Sequence, residues 1–478
     1  MRSGLVLNLV SNIVFFIAGY AIHYFLGNTM SAVSYGIVGT IITVLDFEYM
    51  FLSNGARQSL SKEISMRRYD VGDVICKSGL FQALLVVVFF AINYFGAPLF
   101  GIILNDSSLD SYFRIAAFLV PANGVYVLLL GINEGIHRFN TSAMISIIYP
   151  IAKLSTIPLI VFCFKDDPVI GMEVGYLAAL LFCIFLGVAS LVHHRSELQS
   201  KGKDKIRFGE VARNTMSFSI FFIMVSLVLS IDTLVVKSLV LPASMSGYYT
   251  GAVNFGKIPY YLLTAFFTII LPIVAKSVGE HDISTAIDRV KEFLLIIAVL
   301  ILPIPIVISA SSNNLLISFY HEDFVAAAPA LSLLSMSSFF MGMTVLFNMV
   351  YTNFASNRFS DILSIVSLIT VIPAFIVAAK HGGITGVAIS SICATLVTMV
   401  LSYCAVASKT GNLITPKMIV ASISAIMLWV FVRLFFSFVF DARSLFILAL
   451  IYGIIYISYI GFMCLVKVIS VSELIAKK

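Results

Sequence analysis

The sequence has little charge and a single tryptophan. Of its 478 residues only 11% are charged and 60% are hydrophobic, whereas about 25% of the residues in a soluble protein are charged. The mean hydropathy of +1.03 comes from repeated apolar runs, each long enough, at roughly 20 residues, to cross a bilayer as a helix. The shortage of charge excludes a soluble globular protein. A transmembrane β-barrel is excluded because its strands would be alternating segments of about ten residues.

Motifs for redox, metal and nucleotide chemistry are also absent. The six cysteines are isolated, without a CxxC pair, which argues against a metal site or a disulfide framework. No Walker loop, nucleophile elbow or metal-ligand cluster occurs. The longest predicted outer loop, residues 105–111, offers two acids without a general-base partner. We therefore predict that the chain is not an enzyme, needs no cofactor and hydrolyses no ATP.

The lysines and arginines are concentrated on one side of the predicted membrane. A formal net charge of +6 would suit nucleic acid if the cations formed one surface, but they lie in short loops between spans. With both termini inside, 22 Lys and Arg residues fall on the inner side and five on the outer side. This bias predicts a multi-pass membrane protein with both termini in the cytoplasm and no nucleic-acid partner.

Hydropathy predicts an all-α fold with fourteen transmembrane helices. The predicted spans are 5–26, 33–52, 78–104, 114–133, 141–163, 171–192, 215–237, 247–275, 292–318, 329–352, 361–379, 385–407, 418–440 and 444–466. A strongly basic segment separates two blocks of six helices. The predicted domains are a first lobe at 1–193, a cytoplasmic linker at 194–214, a second lobe at 215–408, and two further helices with a cytoplasmic tail at 409–478.

A short internal similarity supports two related lobes. Residues 30–38 (MSAVSYGIV) and 245–253 (MSGYYTGAV) are identical at four of nine positions, and each lies at the start of the second helix of its block. A match this short is also compatible with chance. Blocks of six helices begin on the same side of the membrane, which predicts parallel repeats with a substrate site between them.

Two lysines are predicted near the middle of the membrane, Lys153 in the fifth helix and Lys257 in the eighth. A charge at this depth costs about 2.5–3.5 kcal/mol on insertion scales, so it suggests a function. Asn254, Tyr261 and Thr264 share one helix face with Lys257 because they are spaced by three or four residues. We predict that both lysines bind substrate and that this stripe lines the cavity. A buried structural ion pair is the alternative.

The seventh helix carries Asp232 near its outer third and Lys237 at its outer end. Lys237 is predicted as a third cation of the substrate site, and Asp232 as a coupling or gating residue. A structural ion pair between Asp232 and Lys257 is the alternative. Because lysines outnumber acids at this depth, we expect an anionic ligand such as a phosphate or pyrophosphate, which lysine holds as a point charge.

Polar residues of the first two helices complete the predicted site. The first helix contributes polar lining residues, Asn8 and Asn12. His23 is a candidate coupling residue, with a satisfied interface histidine as the alternative. Asp46 and Glu48 end the second helix and Arg57 follows. The sequence is compatible with a solvated helix end or with a salt bridge at an inner gate, and these three residues are predicted as coupling or gating residues.

Four stretches are typical of a known superfamily of exporters. They are residues 54–60 (NGARQSL), the helix that bears Asp232, residues 246–252 (SGYYTGA) and residues 382–388 (GGITGVA). Together with the helix count of six, six and two, they resemble the MOP exporter superfamily, specifically the polysaccharide-transporter branch with the O-antigen (Wzx-type) flippases. The resemblance spans the full chain, although these stretches are diffuse. It implies two pseudo-symmetric six-helix lobes that form a MATE-like V around a central cavity in the bacterial inner membrane.

The resemblance also implies a function. The cargo would be an undecaprenyl-pyrophosphate-linked oligosaccharide, which moves from the cytoplasmic to the periplasmic leaflet by alternating access coupled to an H⁺ or Na⁺ gradient. The expected partners are this glycan, membrane lipids and other membrane proteins of polysaccharide assembly, and the default state is a monomer. Because there are 20 tyrosines and one tryptophan, tyrosine would supply most of the sugar stacking.

Other functions stay open. A MATE-type multidrug exporter belongs to the same superfamily, but a cationic drug prefers an acidic cavity, and the embedded lysines argue against one. The lipid II flippase shares the preference for an anionic lipid, so charge does not separate it from an O-antigen flippase. A membrane polysaccharide polymerase, ligase or glycosyltransferase is similarly hydrophobic, but such enzymes usually place catalytic residues in a long outer loop.

Overall fold

The computed structural model describes residues 2–66, 68–198, 204–280, 282–355, 358–439 and 444–469. The chain is 88% helical, and in the described ranges its β-structure is one isolated parallel bridge. The predicted all-α fold class is therefore confirmed. The helices pack into two units, Met1–Leu239 and Val240–Lys478.

In its described residues the first unit contains twelve α-helices, several of which begin at a residue that caps them. Ser31, Asp70 and Asp167 each accept a hydrogen bond from a main-chain amide three residues later, which satisfies a donor that the first turn leaves without a partner. In chain order the helices are α1 (Arg2–Thr29), α2 (Ala32–Tyr49), α3 (Ala56–Met66), α4 (Val71–Phe95), α5 (Ala97–Ile103), α6 (Leu109–Ala116), α7 (Leu119–Gly135), α8 (Phe139–Lys153), α9 (Thr156–Cys163), α10 (Pro168–His193), α11 (Phe208–Val228) and α12 (Ile231–Leu239).

Nine α-helices lie in the part of the second unit that the structure describes. In chain order they are α13 (Ser244–Gly256), α14 (Ile258–Gly279), α15 (Ile283–Ile296), α16 (Pro303–Ala310), α17 (Ser312–Phe319), α18 (Ala328–Phe354), α19 (Arg358–Thr410), α20 (Pro416–Leu434) and α21 (Leu445–Leu465). Asp282 caps α15, and hydrogen bonds from Thr285 and Ser284 hold the pKa of its carboxyl below the usual value. Short π-helical turns at Met50–Gly55, Ile297–Ile301 and Phe435–Val439 continue α2, α15 and α20.

The predicted spans correspond to single helices or to consecutive helices with a break between them. In the described residues, ten helical stretches are long and apolar enough to cross a membrane, and Ile13–Thr29 is a shorter apolar helix. A multi-pass membrane protein is therefore confirmed, whereas the count of fourteen spans stays a prediction. The predicted spans 361–379 and 385–407 lie in one helix, α19, which is broken internally at Gly383.

The packing units divide the chain later than the predicted lobes do. The predicted second lobe begins at residue 215, but α11 and α12 pack with the first unit, which extends to Leu239. Helix order thus places the boundary between the two halves before residue 215, and packing places it after Leu239. The prediction of two six-helix lobes rests on helix order and stays a prediction.

A clamp made of residues 68–77 and 204–214 fixes the start of α11 to the loop between α3 and α4. Tyr69 and Asp204 form the isolated parallel bridge. Ile206 is 1% exposed and belongs to an apolar cluster with Leu60 and Val74. The end of the predicted cytoplasmic linker is therefore part of a packed core.

Polar contacts strengthen this clamp. The main-chain amide of Ile206 donates to Oδ2 of Asp73 (2.9 Å), and Nζ of Lys77 donates to the same carboxylate (2.9 Å). The hydroxyl of Tyr69 donates to Oε1 of Glu210 (2.8 Å), and this hydrogen bond raises the pKa of Tyr69 above its usual value. Two acids, Asp73 and Glu210, thus join residues 68–77 to residues 204–214.

Candidate substrate-binding site

Both predicted mid-membrane lysines lie where a helix is interrupted. Lys153 is the last residue of α8, three residues before α9, and Lys257 lies between α13 and α14. The carbonyl end of a helix carries partial negative charge, which stabilises a cation there. Broken helices are also typical of substrate sites in transporters. Pro158 and Pro259, which follow the two lysines, favour these interruptions.

The ammonium of Lys153 lies against tyrosine rings. Its Nζ is 3.6 Å from the ring centroid of Tyr176 on α10 and 5.5 Å from that of Tyr149, one turn earlier on α8. The Tyr149 ring in turn lies 5.1 Å from the ring of Tyr126 on α7. Lys153 itself is half-buried. We call Tyr149, Tyr176 and the Lys153 side chain between them the lysine cage.

Two predicted coupling residues act electrostatically on the lysine cage. Asp46 on α2 is exposed, and its charge acts on both Lys153 and Tyr176. His23 on α1 interacts electrostatically with Lys153, and its Nδ1 lies 3.0 Å from the hydroxyl of Tyr35 on α2. The fold therefore brings three of the predicted site residues, from three separate helices, to one place in the first unit.

Glu48 points into the protein and does not lie at a solvated helix end. It is 2% exposed and accepts a hydrogen bond from Nδ2 of Asn93 on α4 (2.6 Å). Its second oxygen has no hydrogen-bond partner among the described residues. The expectation of a solvated end fails because the helix does not stop near residue 52, but continues through a π-helical turn into α3 and ends at Met66.

Arg57 pairs with an acid that the sequence analysis did not single out. Its Nε lies 3.1 Å from both carboxylate oxygens of Glu134 on α7, and its guanidinium also contacts Glu134 through Nη2. Ser142 on α8 donates to the same carboxylate (2.8 Å). The expected ion pair with Asp46 or Glu48 is thus replaced by one with Glu134, because α3 packs against α7. A gating role for Arg57 stays a prediction.

Lys237 forms a buried ion pair at the end of α12. Its Nζ donates to Oδ2 of Asp106 (2.6 Å), and the lysine side chain is 3% exposed. Burial opposes ionisation of Asp106, but hydrogen bonds from Lys237 and Ser108 hold the pKa of its carboxyl below the usual value. The structure thus gives Lys237 a protein partner. Binding of substrate by Lys237 stays a prediction.

Asp232 is buried at the start of α12, where its Oδ1 accepts from the amide of Thr233 (2.7 Å). It belongs to the first unit and Lys257 to the second. The predicted pairing of these two residues, like the coupling role of Asp232, stays a prediction.

The predicted polar stripe of the second unit lies around the interruption at Lys257. Lys257 and Asn254 are half-buried, and Nδ2 of Asn254 lies 3.4 Å from the hydroxyl of Tyr320. Tyr261 is 36% exposed, and the hydroxyl of Thr264 donates to its carbonyl (2.7 Å). The polar residues of the stripe therefore lie on the end of α13 and the start of α14, and none of them is fully buried. The side chains of Asn8 and Asn12 lie outside the described residues.

Glu173 on α10 is a polar residue that sequence reasoning missed. It is 1% exposed, and neither carboxylate oxygen has a hydrogen-bond partner among the described residues. A signal was available, because Glu173 lies just inside the predicted span 171–192. An acid within an apolar run is such a signal, by the same argument that singles out Lys153 and Lys257. In the described part of the chain, no group of three or more His, Cys, Asp or Glu residues could hold a metal ion.

Comparisons with known proteins agree on family and fold. The family model for polysaccharide biosynthesis proteins matches residues 1–278. A solved structure of the lipid II flippase MurJ in an inward closed conformation is similar over 96% of this chain and 99% of that chain, with a TM-score of 0.71 and 14% identity. An inward-facing multidrug resistance MATE transporter of the MOP superfamily is similar over 85% of this chain and 99% of that chain, with a TM-score of 0.66 and 12% identity.

A third solved structure is a MOP superfamily transporter from Pyrococcus furiosus, described as having a binding pocket of reverse polarity. It is similar over 86% of this chain and 94% of that chain, with a TM-score of 0.59 and 12% identity. A search of curated proteins finds no match to the sequence. At these identities the structural similarity shows the fold alone, which is that of MurJ and the MATE transporters.

Proposed function

The chain belongs to the polysaccharide biosynthesis protein family of the MOP superfamily, and on this premise we propose that it is a flippase for a lipid-linked oligosaccharide. The cargo is an undecaprenyl-pyrophosphate-linked repeat unit, such as that of O-antigen, which crosses from the cytoplasmic to the periplasmic leaflet of the bacterial inner membrane. The protein works by alternating access as a monomer with cytoplasmic termini. It is a transporter and has no catalytic site of its own.

The lysine cage is the observation that supports this cargo most directly. An ammonium has three donors and no acceptor, and the half-buried Lys153 offers a fixed positive charge to a phosphate oxygen. The faces of Tyr149 and Tyr176 beside it are suited to an apolar sugar face. An anionic group next to a sugar is the chemistry of a sugar-linked pyrophosphate. In the second unit, Lys257 offers a second charge with Asn254 and Tyr261 as polar neighbours.

The buried acids of the first unit support coupling to a cation gradient. Glu48 and Asp232 are both buried, and a carboxylate at membrane depth is costly unless it serves a purpose. We infer that H⁺ or Na⁺ drives the cycle through these acids, with His23, Asp46 and Arg57 as gating partners. Lys153 and Lys257 each offer a charge to an anionic cargo in this scheme, whereas Lys237 is paired with Asp106 and its binding role stays a prediction.

The test is a chromosomal deletion complemented with wild type, Lys153→Ala or Lys257→Ala. Surface polysaccharide, lipid-linked repeat units and drug tolerance are measured in parallel. We expect deletion to abolish the surface polysaccharide and to make lipid-linked units accumulate inside, while drug tolerance stays unchanged. Each lysine variant should reduce polysaccharide output at least about tenfold, the effect of losing one charge-assisted contact of about 1.4 kcal/mol or more.

Lys417→Ala is the matched control, because Lys417 is an exposed cation outside the predicted site. It should leave output unchanged at equal protein level. Intact polysaccharide with increased drug sensitivity after deletion would instead place the protein among the multidrug exporters. Normal output from both lysine variants would remove the two lysines from the transport cycle.

A further inference from the structure

The lysine cage has the composition of a binding site for an organic cation. The faces of aromatic rings attract cations within about 6 Å, and cages of such rings bind quaternary ammonium groups. Here Nζ of Lys153 lies 3.6 Å from the centroid of Tyr176 and 5.5 Å from that of Tyr149. The cation that fills the cage is therefore part of the chain itself.

A nearby acid makes the cage more suitable for a cation. Asp46 is exposed on α2, and its charge acts on both Lys153 and the Tyr176 ring. An aspartate whose charge reaches tyrosine rings attracts an organic monocation through charge, and the rings attract it through their quadrupole. The Lys153 ammonium satisfies both attractions and adds its own positive charge. With Lys153 present, a second cation meets repulsion and a filled cage.

We propose that Lys153 is a tethered occupant of a latent organic-cation site and that its ammonium sets the charge selectivity of the first unit. This deepens the proposed function, on which it rests only in taking the lysine cage as part of the substrate site. Because one face of the ammonium is held by the Tyr176 ring, the remaining N–H groups are available to an anion. The same side chain thus excludes cations and receives phosphate.

A simpler explanation is that Lys153 only neutralises Asp46 and fills space. Removing the lysine would then leave a gap without a preference for cations. The two explanations differ in a measurable gain of binding, which loss of transport alone would not reveal. The gain in cation binding must also depend on both the Tyr176 ring and the Asp46 charge, because the proposed attraction comes from both.

The experiment measures binding of tetraphenylphosphonium to the purified full-length protein in lipid nanodiscs. Tetraphenylborate, an anion of the same shape, is the matched ligand control. We expect Lys153→Ala and Lys153→Gln to bind tetraphenylphosphonium at least about tenfold more tightly than wild type, the factor expected for one cation–π site of about 1.4 kcal/mol. Lys153→Arg keeps a cation in the cage and should show no gain. Neither neutral variant should gain affinity for tetraphenylborate.

Second-site variants test the origin of the gain. Adding Tyr176→Leu or Asp46→Asn to Lys153→Ala should abolish it, whereas adding the exposed Lys417→Ala should not. An equal gain in Lys153→Arg, an equal gain without Tyr176, or no gain in either neutral variant that folds like wild type would overturn the proposal. A neutral variant that loses polysaccharide output without gaining cation affinity would contradict this inference while leaving the flippase intact. Using both Ala and Gln guards against a single variant that fails to fold.

Discussion

At the scale of single residues, the polar side chains of the first unit differ in how far their hydrogen-bonding atoms are satisfied. Arg57 and Glu134 satisfy each other and are further fixed by Ser142. By contrast, Glu48 has one carboxylate oxygen and Glu173 has two without a hydrogen-bond partner among the described residues. Such groups cost several kcal/mol in an apolar environment. A buried acid with an unsatisfied oxygen is therefore expected to serve transport.

Glu48→Gln tests this expectation. A glutamine side chain can still accept the hydrogen bond from Asn93, but it cannot change charge, so we expect the fold to persist and coupling to be lost. Polysaccharide output at several external pH values, with and without a protonophore, is the measurement. We expect the dependence on pH to flatten, with a melting temperature close to that of wild type.

The control for this prediction is Asp288→Asn, because the Asp288 side chain is 73% exposed on α15. It should keep the pH profile of the wild type. A Glu48→Gln protein with an unchanged profile would leave Glu48 as a packing residue of α2 and α4.

At the scale of elements, glycine decides where the longest helix folds back. α19 has 53 residues, so as a straight rod it would be about 80 Å long, far more than a bilayer of roughly 30 Å. Gly383 interrupts it with φ 55° and ψ −145°. A Cβ atom on Gly386 would lie 2.5 Å from the carbonyl oxygen of Ala378, so the two arms approach each other closely there. The stretch 382–388 is thus a hairpin between two predicted spans.

Gly383→Ala should destabilise the protein by about 1–3 kcal/mol, because side chains rarely adopt this backbone conformation. Gly382→Ala is the matched control, since a Cβ atom there meets nothing within 4 Å. Thermal unfolding in detergent measures both. Equal melting temperatures for the two variants would show that the reversal does not depend on the conformation of Gly383.

The clamp is the second element with a measurable role. Ile206 is 1% exposed, whereas its neighbour Lys205 is exposed to solvent. Ile206→Ala should cost about 2–4 kcal/mol through lost burial and the cavity left behind, and Lys205→Ala should change stability by less than about 0.5 kcal/mol. The melting temperatures of the two variants, measured by thermal unfolding in detergent, make the comparison. If the two substitutions had equal effects, the packing of residues 204–214 against the first unit would not contribute to stability.

At the scale of the whole molecule, family, fold and hydropathy agree on a membrane transporter. The fold of MurJ and the MATE transporters covers nearly the whole chain, and ten described stretches are able to span a bilayer. The orientation stays a prediction from charge, in which the side with 22 basic residues is cytoplasmic and the side with five is not.

Single-cysteine labelling tests this orientation. In a background with the six native cysteines replaced by serine, Lys205→Cys and Ser107→Cys both present exposed positions. A membrane-impermeant maleimide should label Ser107→Cys from outside the cell, and Lys205→Cys only after the membrane is opened. The reverse pattern would invert the topology and place the clamp in the periplasm.

Local patterns in the sequence determined the helical fold class, the membrane location and two of the candidate site residues. Hydropathy, a property of each run of residues, predicts helices and membrane location, and the charge bias between loops predicts orientation. The same logic identified Lys153 and Lys257, because a lysine inside an apolar run is evident without any knowledge of packing. The hairpin at Gly383 was located as a boundary between spans, since glycine marks such positions.

Only the tertiary structure decided which polar groups meet. Arg57 pairs with Glu134 across 77 residues of sequence and Lys237 with Asp106 across 131, and no local pattern specifies such partners. The contact of Lys153 with Tyr176 likewise requires α8 and α10 to pack. Packing also assigned α11 and α12 to the first unit and buried the end of the linker. The physical reason is that hydropathy acts on each segment separately, whereas partner choice depends on which helix faces come together.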